Sequence, residues 1–379
     1  MRPMDRPRER TGVLLVNLGT PDATGYWAIR RYLSEFLSDR RVIEASPLWW
    51  QPLLQGVILA TRPFRTGAAY RQIWRRETDE SPLRFFTRAQ AENLRARWPE
   101  AETGVVIDWA MRYGRPSIAE RLHVLAGQGC DRILLLPLYP QYSATTMATV
   151  NDAAFRALMQ MRRQPAIRTM PSFPDHPLYI RALATRIRAS LADLDWQPEL
   201  LLGSFHGLPR RYVQAGDPYP AECGRTMAAL RREMGLTARQ FPLTYQSRFG
   251  RERWLEPYTD QRVAALAARG VKRLAVVAPG FLSDCVETLE ELGGELREIF
   301  LHAGGTHFHL VPCLNDGPGT TMLLDALLRE ELAGWASPAV AGRPEQAHAE
   351  APGPWPAVQA RRPALPDATR AFSTAGQTP

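Results

Sequence analysis

Eight short apolar runs, most of them rich in β-branched residues, alternate along the chain with longer segments of helical spacing. The runs cover residues 13–17, 105–109, 133–138, 167–170, 200–204, 243–246, 274–278 and 308–312. Arginine- and alanine-rich stretches such as 89–98 and 179–194 lie between most of them. A strand that is apolar throughout must be covered on both faces, and strands separated by helices give that cover in parallel α/β sheets. Four runs precede residue 175 and four follow it. The expected architecture is therefore α/β, with two similar domains, each a parallel four-stranded sheet flanked by helices. No repeat in residue identity accompanies this division, so the duplication is one of topology. The expected boundaries are a disordered N-terminus at 1–11, a first half at 12–174, a second half at 175–318, and a helix packing back at 319–333. The tail at 334–379 is rich in Pro and Ala and poor in apolar periodicity, and is expected to be disordered.

Composition narrows the function classes. The net charge is +8, and of the 47 basic residues only Lys272 is a lysine. Arginine holds carboxylates and phosphates in a planar fork, so charge alone leaves acidic ligands, anionic lipid and nucleic acid open. No Walker A or G-x-G-x-x-G pattern is present, and nucleic-acid binding would rest on net charge alone, so neither is expected. Cys130, Cys223, Cys285 and Cys313 form no C-x-x-C clip, which argues against a zinc site or a disulfide framework and for a reducing, cytoplasmic compartment. The basic N-terminus has no apolar h-region behind it, and the apolar stretch at 47–60 is too short and interrupted to span a bilayer.

Chemistry-bearing residues gather where the strands end, the edge at which open α/β sheets bind ligands. Glycines, aromatics and a few polar groups recur there, as a large flat ligand would require. His206 is the sharpest candidate: it closes an apolar strand and is followed by Gly207 and Pro209. The segment 283–300 reads as a helix capped at Ser283 or Asp284, with Asp284, Glu287 and Glu291 on one face and Val286, Leu289, Leu292 and Leu296 on the other. Such a carboxylate column can hold a cation or relay protons; spacing alone supports a solvated acidic face equally well. His307 and His309 alternate on a strand and can share a metal, although a structural pair is the commoner outcome. Trp49 and Trp50, with Leu48, Leu53, Leu54, Val57, Ile58 and Leu59, have helical spacing; this is usually core, but an exposed apolar lip would suit a membrane-soluble ligand.

At these residues the sequence resembles the ferrochelatase family, in its proteobacterial form. The matching segments are VNLGTPD (16–22), MRYG (111–114), YPQYS (139–143), SFHGLP (204–209), TYQSRFG (244–250), WLEPYTD (254–260) and PGFLSDCVETLEEL (279–292). The resemblance implies a chelatase-like fold with the porphyrin held between the halves, and insertion of Fe(II) into protoporphyrin IX. It implies that His206 and Glu287 are the catalytic pair and the metal ligands. Asp284 and Glu291 would extend the acidic path. Arg112, Tyr113, Tyr70, Ser81 and Trp254 would line the porphyrin pocket, and Arg62 or Arg65 would lie near the propionates. Iron and porphyrin would be substrates and no organic cofactor is implied. Ala144 follows YPQYS where animal-type members place an iron–sulfur ligand, and no cysteine follows Cys313, so no cluster is expected. Coproporphyrin III, another metal, or a non-catalytic tetrapyrrole carrier are the rival readings, and peripheral contact with the inner membrane is compatible with the apolar lip.

Overall fold

The computed structural model describes residues 10–250 and 252–336. Each apolar run forms a strand: β1 (Arg10–Gly19), β2 (Val105–Tyr113), β3 (Cys130–Pro137), β4 (Ala166–Thr169), β5 (Leu200–His206), β6 (Leu243–Gln246), β7 (Arg273–Val277) and β8 (His307–Leu310). Among the described residues they build two four-stranded sheets, ordered β2-β1-β3-β4 and β6-β5-β7-β8, with every pairing parallel. The order is the same in both: second, first, third, fourth. The halves thus repeat one topology without repeating residue identities, because a buried strand position constrains only apolarity and size.

That order puts β1 and β5 at the point where the winding reverses, with neighbours on both sides. A crevice opens beyond the end of such a strand. His206 is the last residue of β5, and Asn17 to Gly19 close β1. The β1 and β2 ends pack so closely that a Cβ on Gly19, at φ 119°, would lie 1.9 Å from the Tyr113 carbonyl oxygen. Only glycine fits there.

One apolar core lies on the first sheet, where Leu14, Val16, Ile133 and Leu135 meet Ile118, Leu122, Leu125 and Val150. A second joins Leu202, Leu274 and Val276 to Val263, Leu292, Leu296 and Phe300. A third, around Ile29, Leu33, Leu54, Leu59 and Tyr70, reaches Val286 of the second half. The closing helix spans Pro318–Glu331, and its Asp325 accepts from Trp98 Nε1 at 2.7 Å and from Arg97 at 3.1 Å, tying it to the first half's helix Pro82–Arg97.

Some boundaries differ from expectation. Residues 10 and 11, assigned to a disordered terminus, open β1, where Thr11 pairs with Val105 and Arg132. The remainder of the expected terminal segments, 1–9 and 337–379, lies outside the described residues. Among the described residues, three stretches wind as π-helix: Leu54–Ile58, Ala144–Ala148 and Glu287–Glu295. The first interrupts the apolar segment, so Leu54 and Leu59 enter the core while Leu48 (89% exposed), Trp49, Leu53, Val57 and Phe64 (66%) face outward. No described helix is long and apolar enough to cross a membrane.

Candidate active site

β5 is buried along its length and delivers a half-buried His206 at its end. The ring Nδ1 lies 2.7 Å from the Gly207 carbonyl oxygen. A carbonyl only accepts, so Nδ1 carries a hydrogen and a neutral ring keeps its lone pair on Nε2. The loop after His206 is held by backbone bonds from Gly207 N to Gln246 O (2.7 Å) and from Leu255 N to Leu208 O (2.9 Å). Gly207 is a matter of space: an added Cβ would lie 2.6 Å from Gln246 O and 3.1 Å from the Trp254 ring.

The neighbouring strand β6 supplies two contacts to the acidic segment. Gln246 Nε2 donates to the Glu287 carbonyl at 2.8 Å, with its own Oε1 held by Ser204 at 2.8 Å. Ser247 follows at φ 63°, a backbone region that side chains other than glycine seldom enter, and its hydroxyl donates to the Glu291 carboxylate.

Burial pushes the Glu291 carboxyl above the usual carboxylate range; the Ser247 bond and the nearby His206 ring pull it back, and Glu287 pushes it up again. Glu291 therefore sits in the field of both His206 and Glu287. Burial also raises Tyr70 and Tyr32, and Glu287 adds to both. The Cys285 thiol is raised by burial and then by Glu287. Glu287 thus lies near the Tyr32 and Tyr70 phenols, the Cys285 thiol and Glu291. Carboxylates near an imidazole can accept protons and ligate a borderline divalent cation.

Glu287–Glu295 is π-helical, with more than four residues per turn, so steps of four keep near one face. Glu287, Glu291 and Glu295 make such a series, ending at an exposed Glu295 paired with Arg65 at 3.5 Å. Sequence reading misses Glu295, although i, i+4 and i+8 keep to one face of an α-helix as well. Asp284 leaves the series. It lies before the helix, is buried, and accepts from Asn315 Nδ2 (2.7 Å), Thr288 Oγ1 (3.1 Å) and Cys313 N (3.3 Å). Neither Ser283 nor Asp284 caps the helix by its side chain; the Thr288 hydroxyl takes the Cys285 N–H at 3.0 Å instead.

Other residues expected in the pocket also make internal contacts. The Arg112 guanidinium binds Asp39 and the Thr149 hydroxyl (2.7 Å), and lies 4.3 Å from the Tyr113 ring. Tyr113 is fully buried and donates to Asp39 at 2.9 Å. Ser81, fully buried, caps helix Pro82–Arg97 by accepting from Arg84 N at 3.2 Å. Trp254 is 4% exposed, donates to Phe249 O at 3.0 Å, and backs the His206 loop. Arg112, Tyr113 and Ser81 thus hold neighbouring segments of the first half, and Trp254 packs on the His206 loop. Tyr70 is buried as well, but against Glu287. The Arg62 guanidinium reaches to 5.6 Å from the ring of the exposed Phe249, while Arg65 is a surface residue. His307 and His309 do not share a ligand geometry: His307 bonds Thr306 at 2.8 Å against Trp196, and His309 bonds Ser190 at 2.7 Å.

The family model for Ferrochelatase matches residues 10–332, which takes in both sheets, His206 and the whole acidic segment. The chain belongs to the ferrochelatase family. It is 57% identical to a ferrochelatase of Gluconobacter oxydans over 329 residues, covering 87% of this chain and 95% of that protein. A ferrochelatase of Agrobacterium fabrum is 55% identical over 336 residues, covering 88% and 97%. Among solved structures, SirB from Bacillus subtilis with Fe3+ superposes with a TM-score of 0.51 at 12% identity, covering 86% of this chain and 96% of that one. The sirohydrochlorin chelatase SirB of Bacillus subtilis subspecies spizizenii, in complex with cobalt, gives 0.51 at 11%. At such identity the likeness speaks for the fold, which is the chelatase-like two-sheet arrangement that the alternation of strands and helices predicts.

Proposed function

We propose that this ferrochelatase-family chain inserts Fe(II) into protoporphyrin IX to give protohaem, with release of two protons, as the last step of haem synthesis. What supports the reading is a Glu291 influenced by both His206 and Glu287, with His206 at the end of the strand where the second sheet reverses, in a chain whose family relationship spans nearly all its described residues.

Pyrrole N–H groups are weak acids and a flat macrocycle aims its lone pairs inward, so metallation needs a distorted ring and a base above it. His206, with Nε2 free of the Nδ1–carbonyl bond, is the group we assign to take a pyrrole proton or hold the incoming iron. Glu287 faces it as the carboxylate partner. Glu291 and then Glu295 carry charge outward along the π-helix, the part that Asp284 does not fill. Tyr70, beside Glu287, lines the wall, and Arg62 with Phe249 lies at the mouth. Two charges enter with the metal as two protons leave, so the exchange needs no organic cofactor. The exposed Leu48, Trp49, Leu53, Val57 and Phe64 form the rim through which the enzyme, working in the cytoplasm, would touch the inner membrane.

Anaerobic turnover of protoporphyrin IX against coproporphyrin III, each with Fe(II) and Co(II), tests the assignment. A kcat/KM that favours protoporphyrin IX with Fe(II) supports it. Tight porphyrin binding with no metallation of either ring by either metal would replace it with the carrier reading.

A further inference from the structure

The segment that carries Glu287 starts at a buried polar clamp that lies outside the reacting groups. Asn315 Nδ2 donates to Asp284 Oδ2 at 2.7 Å, and the Asp284 backbone N–H donates to Asn315 Oδ1 at 2.8 Å. The Asn315 N–H donates to Leu282 O at 2.8 Å. Asn315 sits at φ 53°, in the left-handed region that Asn enters more readily than most side chains. Asp284 passes the restraint on to Thr288, whose hydroxyl donates to it at 3.1 Å and accepts the Cys285 N–H at 3.0 Å across the first helical turn.

The first half closes the clamp. Gln90, on helix Pro82–Arg97, donates from Nε2 to Asn315 O at 2.7 Å and to Ser283 Oγ at 3.0 Å. The Asn315 carbonyl can only accept, which fixes the amide with Nε2 inward. Gln90 and Ser283 are each 2% exposed and Asp284 5%, so these bonds are shielded from competing water. One side chain of the first sheet's helix layer thereby holds both loops, after β7 and after β8, that frame the start of the acidic helix.

We propose that Gln90 and Asn315 are positioning residues: acting through Ser283, Asp284 and Thr288, they set where the Glu287 carboxylate stands relative to His206. The proposal rests on the chelatase reading above. Glu287 is held from two sides. Gln246 of β6 grips its carbonyl, and the clamp fixes the turn that leads into it. Releasing the clamp leaves Glu287 present but loosely placed, and a displacement of about 1 Å at a reacting group can cost on the order of a hundredfold in rate.

The variants are Asn315→Gly, which keeps the left-handed backbone and removes only the amide, and Gln90→Met, which keeps the volume. Trp98→Phe is the control; it breaks the bond from the same helix to Asp325, away from the acidic segment. Both test variants are expected to lose about ten- to a hundredfold in kcat with porphyrin KM within about twofold. In a Glu287→Gln background, Asn315→Gly is expected to cost no more than about twofold further, since it acts through the missing group. Hydrogen exchange of the amides of residues 284–291 is expected to speed up in both test variants and not in Trp98→Phe. Unchanged kcat and exchange in folded Asn315→Gly and Gln90→Met, or an equal loss in both backgrounds, would overturn the proposal. If the unmutated protein fails to metallate any porphyrin, the chelatase reading falls, and the exchange data alone decide whether the clamp orders the segment.

Discussion

Ser247 donates its hydroxyl hydrogen bond to Glu291 from a left-handed backbone, so the end of β6 holds a carboxylate of the acidic helix. Burial has raised the Glu291 pKa, and the Ser247 bond and His206 only partly offset it. A carboxyl raised on folding contributes stability that is complete below its unfolded pKa, about 4.3, and is lost as pH rises through the folded value. At pH 7 the ionised group therefore burdens the fold. Glu291→Gln is expected to raise Tm at pH 7, by a margin that shrinks as pH falls toward about 5, while lowering kcat. Ser247→Ala is expected to lower Tm at pH 7. Thermal unfolding at the two pH values measures both, and a Glu291→Gln protein less stable than wild type at pH 7 would contradict the account.

Asp39 has the opposite sign. Burial would raise its carboxyl, but bonds from Thr149, the Arg41 N–H and Tyr113, and the Arg112 charge, outweigh burial and hold it below the usual range. Its contribution is present above the unfolded pKa, about 3.9, and is lost as pH falls through the lower folded value. Asp39→Ala leaves the Arg112 guanidinium, 9% exposed, with only the more distant Glu35 carboxylate at 3.9 Å. The expected cost is on the order of 3–5 kcal/mol at neutral pH. Urea unfolding at pH 7 and at acid pH should show the deficit narrowing on acidification.

Two glycine substitutions should diverge. Gly207→Ala must displace Gln246 O or Trp254 and should cost about 1–3 kcal/mol together with activity, since both brace the His206 loop. Gly224 lies within helix Tyr219–Met234, and a methyl added there would meet no atom within 4 Å. Gly224→Ala should therefore stabilise by about 0.5–1 kcal/mol without changing kcat. Denaturation midpoints and turnover of the two proteins separate space from chain entropy.

The rim reading predicts a separable effect. Replacing Leu48, Trp49 and Phe64 together by Ser removes exposed apolar surface and leaves buried Leu54 and Leu59 in place. Sedimentation with anionic vesicles should fall, while kcat on detergent-solubilised porphyrin stays within about twofold. Equal vesicle binding by the variant and the wild type would remove the rim from the account.

The strands were legible because a strand buried on both faces must be apolar throughout, and the repeated order in the two sheets follows from their alternation with helices. His206 was legible because it ends such a strand beside a glycine that space demands. The carboxylate series was only half legible. Val286, Leu289, Leu292 and Leu296 fit an α-helical stripe, whereas around the π-wound segment Leu292 and Leu296 enter the second core and Val286 packs against the third. The contacts of Asp284 and Arg112 are illegible for another reason. Their partners, Asn315 and Asp39, are 31 and 73 positions away in the chain, and nothing local to either residue marks it as a brace.

Anaerobic insertion of Fe(II) into protoporphyrin IX by wild type, His206→Ala and Glu287→Gln tests the central claim most directly. Wild type is expected to turn over, and each variant to lose at least about a hundredfold in kcat, about 2.7 kcal/mol of barrier, while still binding the ring. Turnover by His206→Ala at the wild-type rate would contradict the assignment of that imidazole to the reaction.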